Sequence, residues 1–208
     1  VVGDDEGGQM VTATLNGEKK IEAHLVIDAT RPTTRKVRFV SEHHSTHLLR
    51  ADWEMAQPVA PANERKLIDL ALNVVPKVGA VVLSDYAKGA LTPGLIRAVI
   101  DAANKAGKPV IVDPKAKDYS IYAGATLIKP NRKELADATR MAAITDGDVA
   151  TAAASLMQAV ATRAVLVTRS EAGMTLVTDK AAPVHVPAYP VRIRDVSGAG
   201  DTVVAVLA

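Results

Sequence analysis

A doubly wound, mostly parallel α/β sheet is the fold this sequence predicts, and three observations predict it. From Pro61 onward, short apolar runs of strand length alternate with stretches whose apolar residues recur every three or four positions. Those stretches carry helix start and stop residues, such as Thr92-Pro93 before one of them and Gly107 after it. Polar and glycine-rich clusters directly follow the apolar runs, where a sheet of this kind binds its ligands.

The elements follow in order. Up to about Trp53 the texture favours strands: Leu25-Val26-Ile27 is a short apolar run, and Lys36-Val37-Arg38-Phe39-Val40 alternates. Pro32, just before two threonines, suggests an edge or a strand start. Leu67, Leu70, Ala71 and Val74 share one helical face, and Pro76 ends that helix. Residues 80–84 read as a buried strand. Leu95, Ile96, Val99 and Ile100 form the apolar face of the helix opened by Thr92-Pro93. Residues 110–113 and 125–129 are strands, the second followed by a helix from Asn131. An Ala-rich helix covers roughly residues 148–162, with strands at 165–167 and 174–177 and an apolar helix at 202–208. Strands alternating with helices imply right-handed crossovers and a parallel sheet.

Composition excludes several classes. With 208 residues, 48% hydrophobic and 23% charged, the chain has material for a sizeable core, and disorder is not the default. The 25 basic residues nearly cancel the 23 acidic ones, so the net +2 gives no support to a nucleic-acid partner. Without cysteine there is no disulfide, thiolate metal site or Cys nucleophile, which suits a cytoplasmic setting. The apolar run at 80–83 is far too short to cross a bilayer, so no membrane partner is expected. The chain opens on Val1-Val2-Gly3 and stops in an apolar helix, and is expected to be an internal part of a larger domain.

The sharpest chemical signal is Asp195-Val196-Ser197-Gly198-Ala199-Gly200-Asp201-Thr202. Gly198 and Gly200 let backbone amides approach a ligand, and the following helix offers unpaired N–H groups and a positive dipole end. Such a cradle suits the charge of a transferring phosphoryl group, and Asp201 in the first turn is placed to accept a hydroxyl proton. The plain alternative is a glycine turn with Asp201 as a dipole-favoured acid. Asn131 and Glu134, three apart on one helix face, offer oxygens to Mg²⁺ or its waters; equally, they spell an ordinary capped helix start. Thr168-Arg169-Ser170-Glu171-Ala172-Gly173 fits a loop beneath a nucleotide phosphate, or a plain hairpin turn.

Arg35, Lys36, Arg38, Lys88 and Lys115 are candidates to hold a substrate phosphate, each competing with the reading of a solvated surface charge. No nearby sequence partner obviously neutralises Arg35, Lys36, Lys88 or Lys115. His43, His44 and His47 lie in a polar turn and make a poor metal cluster. There is no Gly-x-x-x-x-Gly-Lys-Ser/Thr element and no dinucleotide fingerprint.

Taken in order, Leu83-Ser84-Asp85-Tyr86-Ala87-Lys88-Gly89, Asp113-Pro114-Lys115, Lys129-Pro130-Asn131-Arg132-Lys133-Glu134, the Thr168–Gly173 segment at 168–173 and the Gly-Ala-Gly-Asp motif resemble the ribokinase-like (PfkB-type) sugar kinases. The set looks closest to the D-glycero-β-D-manno-heptose 7-phosphate kinase domain of ADP-heptose biosynthesis. The resemblance implies a partial ribokinase-like domain over 1–208, with lid-side strands in about 20–55 and an α/β nucleotide-binding core over 61–208. It implies ATP-dependent phosphorylation at C1, giving the 1,7-bisphosphate on the way to lipopolysaccharide core. Asp201 would be the base, with Gly198, Ala199 and Gly200 as the anion hole. Asn131, Arg132, Lys133, Glu134, Thr168, Ser170 and Gly173 would face the nucleotide and its Mg²⁺, and Asp195 would lie in a loop for K⁺. Arg35, Lys36, Asp85, Lys88 and Lys115 would face the sugar phosphate. A homodimer through the lid and a fused adenylyltransferase domain are further implications. The alternatives are a kinase of the same fold for fructose phosphate, ribose or a nucleoside, and a non-catalytic nucleotide or sugar-phosphate binding module.

Overall fold

The computed structural model describes residues 1–41, 47–190 and 198–208. Within them the chain divides into two compact units, one of Val1–Leu70 with Lys88–Thr92, the other of Ala71–Ala87 with Pro93–Ala208.

The first unit opens with a helix, α1 (Glu6–Gly17), where the sequence texture favours strands. Local capping decides it. Asp5 accepts from the Gly8 amide at 2.8 Å, and the same carboxylate takes the Thr33 amide at 2.8 Å and the Thr33 hydroxyl at 2.6 Å. The helix is therefore pinned at its start to a segment 28 residues away, which offsets its three glycines and two threonines. The apolar run at 25–27 contributes only a single bridge, Ile27 to Val2, with Val26 buried.

Two antiparallel strands follow, β1 (Arg35–Val40) and β2 (His47–Trp53), in the region expected to hold the lid-side strands. Their register sets Arg35 opposite Trp53 and Lys36 opposite Asp52. The Arg35 guanidinium lies 4.5 Å from the Trp53 ring centre, a cation–π contact. The Arg31 guanidinium donates to the carbonyls of Met55, Gln57 and Lys88, tying three separate stretches together. The helix α2 (Pro61–Val74) runs from this unit into the next.

The second unit is built on a six-stranded sheet: β3 (Val81–Ser84), β4 (Val110–Asp113), β5 (Leu127–Ile128), β6 (Ala164–Thr168), β7 (Met174–Thr178) and β8 (Val184–Val186). The strands stand side by side in chain order; β3 to β6 are parallel, and β7 and β8 add antiparallel strands. Helix α3 (Pro93–Lys105) crosses from β3 to β4 and buries Leu95, Ile96, Val99 and Ile100, the face its sequence spacing defines. Helices α4 (Arg132–Thr139) and α5 (Asp146–Ala159) cross from β5 to β6, and α6 (Ala199–Leu207) closes the described chain. Val110, Val112, Ile128, Val165 and Val167 are fully buried and form the middle of the core. Near-continuous apolar strands are what a sheet covered on both faces requires.

Candidate active site

The ladder of the parallel sheet extends past its strands and sets the polar residues side by side. The Asp85 amide donates to the Asp113 carbonyl, the Lys129 amide to Val112, and the Thr168 amide to Pro130. Asp85, Asp113, Lys129, Asn131 and Thr168 thus share one edge, at the strands' carboxyl ends.

Lys129 is buried and its ammonium lies 3.0 Å from Asp113 Oδ1. Burial pushes the Asp113 carboxyl up from its ordinary value, against the pull of Lys129; the charges of Glu134 and Asp201 push the same way as burial. The first turn of α6 sits over this pair, since a Cβ on Gly200 would stand 3.5 Å from Lys129 Nζ. Gly198 precedes the helix in a left-handed conformation (φ 76°), and among the described residues no side chain caps the turn. Glycine at the cap position has no side chain to offer the leading amides of α6, at the positive end of the helix. Asp201 is exposed in that turn, and the Tyr86 phenol donates to its Oδ1 at 2.8 Å. That bond is the main reason the Tyr86 phenol is held above its ordinary value.

Asp85 faces inward. It is buried, its Oδ1 accepts the Ala87 amide at 2.7 Å, and its Oδ2 accepts the Tyr122 phenol at 2.5 Å. Both oxygens that were candidates for a substrate contact are engaged within the protein. They hold the turn in which Ala87 takes a positive φ of 52° and from which Tyr86 reaches Asp201.

Asn131 and Glu134 form a complete capping box: Asn131 Oδ1 accepts the Glu134 amide at 2.8 Å, and Glu134 Oε2 accepts the Asn131 amide at 2.9 Å. Glu134 Oε1 also takes the Lys115 ammonium at 2.7 Å. Arg132 lies 3.9 Å from Glu171, and Lys133 pairs with Asp137 one turn on. Thr168, Ser170 and Gly173 belong to the tight connection between the antiparallel strands β6 and β7. Gly173 has a φ of 81°, and a Cβ there would come within 2.0 Å of the Val186 carbonyl, so no other residue fits without moving β8. The buried Arg169 beside it binds Asp146 at 2.5 Å and Thr175 at 3.0 Å.

Three of the candidate cations, Lys36, Lys88 and Lys115, find acidic partners that are distant in sequence. In the first unit Lys36 pairs with Asp52 at 3.0 Å and Glu54 at 2.7 Å, and Lys88 meets the other oxygen of Glu54 at 2.5 Å. Those partners lie 16 to 34 positions away in sequence, beyond the reach of a local reading. Lys36 is held above its ordinary value chiefly by Glu54, then by Asp52. Asp195, Ser197, His43 and His44 lie outside the described residues. Among the described residues no cluster of three or more His, Asp or Glu could hold a metal ion, and no helix is long and apolar enough to cross a membrane.

A family model, pfkB family carbohydrate kinase, matches residues 1–208. The chain belongs to the pfkB family. Among its relatives, the bifunctional protein HldE of Rhodopseudomonas palustris (strain BisA53) is 57% identical over all 208 residues, and that of Bradyrhizobium diazoefficiens is 56% identical. The chain spans 42% of the length of each. Phosphofructokinase-2 from Escherichia coli in complex with potassium superposes with a TM-score of 0.78 at 22% identity, over 98% of this chain and 64% of that one. Arabidopsis thaliana ribokinase complexed with ribose and ATP gives 0.73 at 23%, over 98% and 65%. These two show the fold: a ribokinase-like α/β architecture with a mostly parallel sheet.

Within this pfkB-family chain, sequence reasoning assigned no role to Tyr86, Tyr122, Asp113 or Lys129. The strand-end rule does point to Asp113 and Lys129. Nothing local signals that Tyr122 serves Asp85, 37 positions earlier.

Proposed function

We propose that the chain phosphorylates D-glycero-β-D-manno-heptose 7-phosphate at C1 with ATP, giving the 1,7-bisphosphate of ADP-heptose synthesis. The observation that carries the reading is the exposed Asp201 carboxylate in the first turn of α6, beside the leading amides that follow Gly198. Asp201 takes the proton of the C1 hydroxyl as its oxygen bonds to the γ-phosphorus, and the bond to the bridging oxygen of ADP breaks. The amides of Gly198, Ala199 and Gly200 face the charge that develops on the transferring group.

Mg²⁺ fits this site through water. Both Glu134 oxygens already accept hydrogen bonds, so Asn131 and Glu134 suit an ion held mainly by phosphates and waters. When bound, the ion neutralises charge on the β- and γ-phosphates. Thr168, Ser170 and Gly173 would line the nucleotide, as would Arg132 and Lys133, with Asp195 near K⁺.

Lys36 and Lys88, meeting at Glu54, are the first candidates for the remote phosphate, with Arg35 and Lys115. A cytoplasmic place, a fused adenylyltransferase and a homodimer through β1 and β2 complete the reading. The exposed Phe39, Leu48 and Leu49 support the dimer. The test is a side-by-side assay of heptose 7-phosphate, free heptose, fructose 6-phosphate and ribose with the full-length protein. Heptose 7-phosphate is expected to give the highest kcat/KM, with free heptose about 10²-fold lower or worse. A higher value for ribose or fructose 6-phosphate overturns the substrate while leaving the kinase reading standing.

A further inference from the structure

We propose that Tyr86 is a positioning residue for the proton acceptor, fixing one oxygen of Asp201 so that the other is presented to the sugar hydroxyl. The proposal rests on the reading of Asp201 as the base. Asp201 is exposed, and a carboxylate in that setting turns freely unless something holds it. Among the described residues, the Tyr86 phenol at 2.8 Å on Oδ1 is the hydrogen bond made to this carboxylate. With Oδ1 occupied by a fixed donor, Oδ2 is the oxygen left to receive a proton, and its direction is set before substrate arrives.

The phenol is itself held from behind. Tyr86 lies between Asp85, which is buried with both oxygens engaged, and Ala87, whose amide is one of the donors and whose φ is positive. A buried network thus ends in one exposed hydroxyl aimed at the base. Tyr86 is 54% exposed, so core packing gives no reason for a hydroxyl at this position. The neighbouring carboxylate also keeps the phenol protonated, as a donor must be.

The test is a double-mutant cycle in the full-length protein with Mg·ATP and heptose 7-phosphate: Tyr86→Phe, Asp201→Asn and the pair together. Tyr86→Phe is expected to lower kcat about tenfold while both KM values stay within about twofold, since a hydrogen bond to a charged group is lost and no substrate contact is. In the Asp201→Asn background the same change is expected to alter the rate less than about twofold. Three results overturn the proposal: an unchanged kcat in Tyr86→Phe, an equal loss in both backgrounds, or a lower KM for the sugar with kcat unchanged. The last would mean that the phenol only fills the place of the sugar hydroxyl. A near-normal rate for Asp201→Asn alone would instead remove the base assignment, which the other three outcomes leave intact.

Discussion

The hydroxyl of Tyr122 donates to Asp85 Oδ2 and accepts from the amides of Lys115 and Ala116, so one phenol joins the segments that follow β3 and β4. Burial and the Asp85 carboxylate both push that phenol well above its ordinary value, which keeps it a donor at any working pH. Tyr122→Phe leaves a buried carboxylate oxygen and two amides without this partner. The expected cost is about 2–3 kcal/mol, read as a lower urea midpoint at unchanged slope. An unmoved midpoint would mean that the network does not contribute to stability.

Asp201→Asn preserves shape and removes proton acceptance. Turnover should fall on the order of 10²–10⁴-fold while the affinity for Mg·ATP is kept. Calorimetric titration with nucleotide, beside the rate, separates the two effects. A normal rate at saturating substrates contradicts the assignment.

Glu134→Gln should raise the Mg²⁺ concentration needed for half-maximal rate, because an anionic group near the ion becomes neutral. The change also removes the charge that Lys115 pairs with at 2.7 Å, while the amide oxygen can still accept from the Asn131 amide. If the Mg²⁺ titration is superimposable on that of the unaltered protein, Glu134 serves only the helix start.

Asp5 carries a prediction in acid. The Thr33 hydroxyl, then the Thr33 and Gly8 amides, hold its carboxyl below the ordinary 3.8. A folded-state value below the unfolded one stabilises the fold fully above the ordinary value, and that contribution is lost as pH falls through the depressed value. Asp5→Asn should therefore flatten the stability curve below about pH 4 relative to the unaltered protein. Urea midpoints across an acid pH series give the comparison, and parallel curves would show that Asp5 titrates alike in both states.

Much of the second unit is legible in the sequence because its signals are local. Pro93 begins α3, the apolar spacing of Leu95, Ile96, Val99 and Ile100 defines its buried face, and the apolar runs at 110–113 and 165–167 are strands. The helix α1 is not legible, because its weak propensity is overruled by Asp5 and Thr33, which meet only in the fold. The site divides in the same way. The glycine turn and Asp201 can be read from eight consecutive residues, and the capping box from four. The bond from Tyr86 to Asp201 spans 115 positions, and the partners of Lys36 and Lys88 come from β2 and its exit, 16 to 34 positions away. Side-chain geometry across such separations leaves no periodic trace.

The order of the six strands has a consequence for synthesis. Because, among the described residues, each strand of this sheet lies against its predecessor in the chain, a polypeptide leaving the ribosome can add these strands one at a time. The contact between Tyr86 and Asp201 does not share that timetable. Tyr86 and Asp85 are laid down beside β3, Asp113 and Lys129 follow, and Asp201 comes 115 positions after Tyr86. The proposed proton acceptor and the phenol that meets it are thus made at different times, and their bond can form only once both segments have left the ribosome.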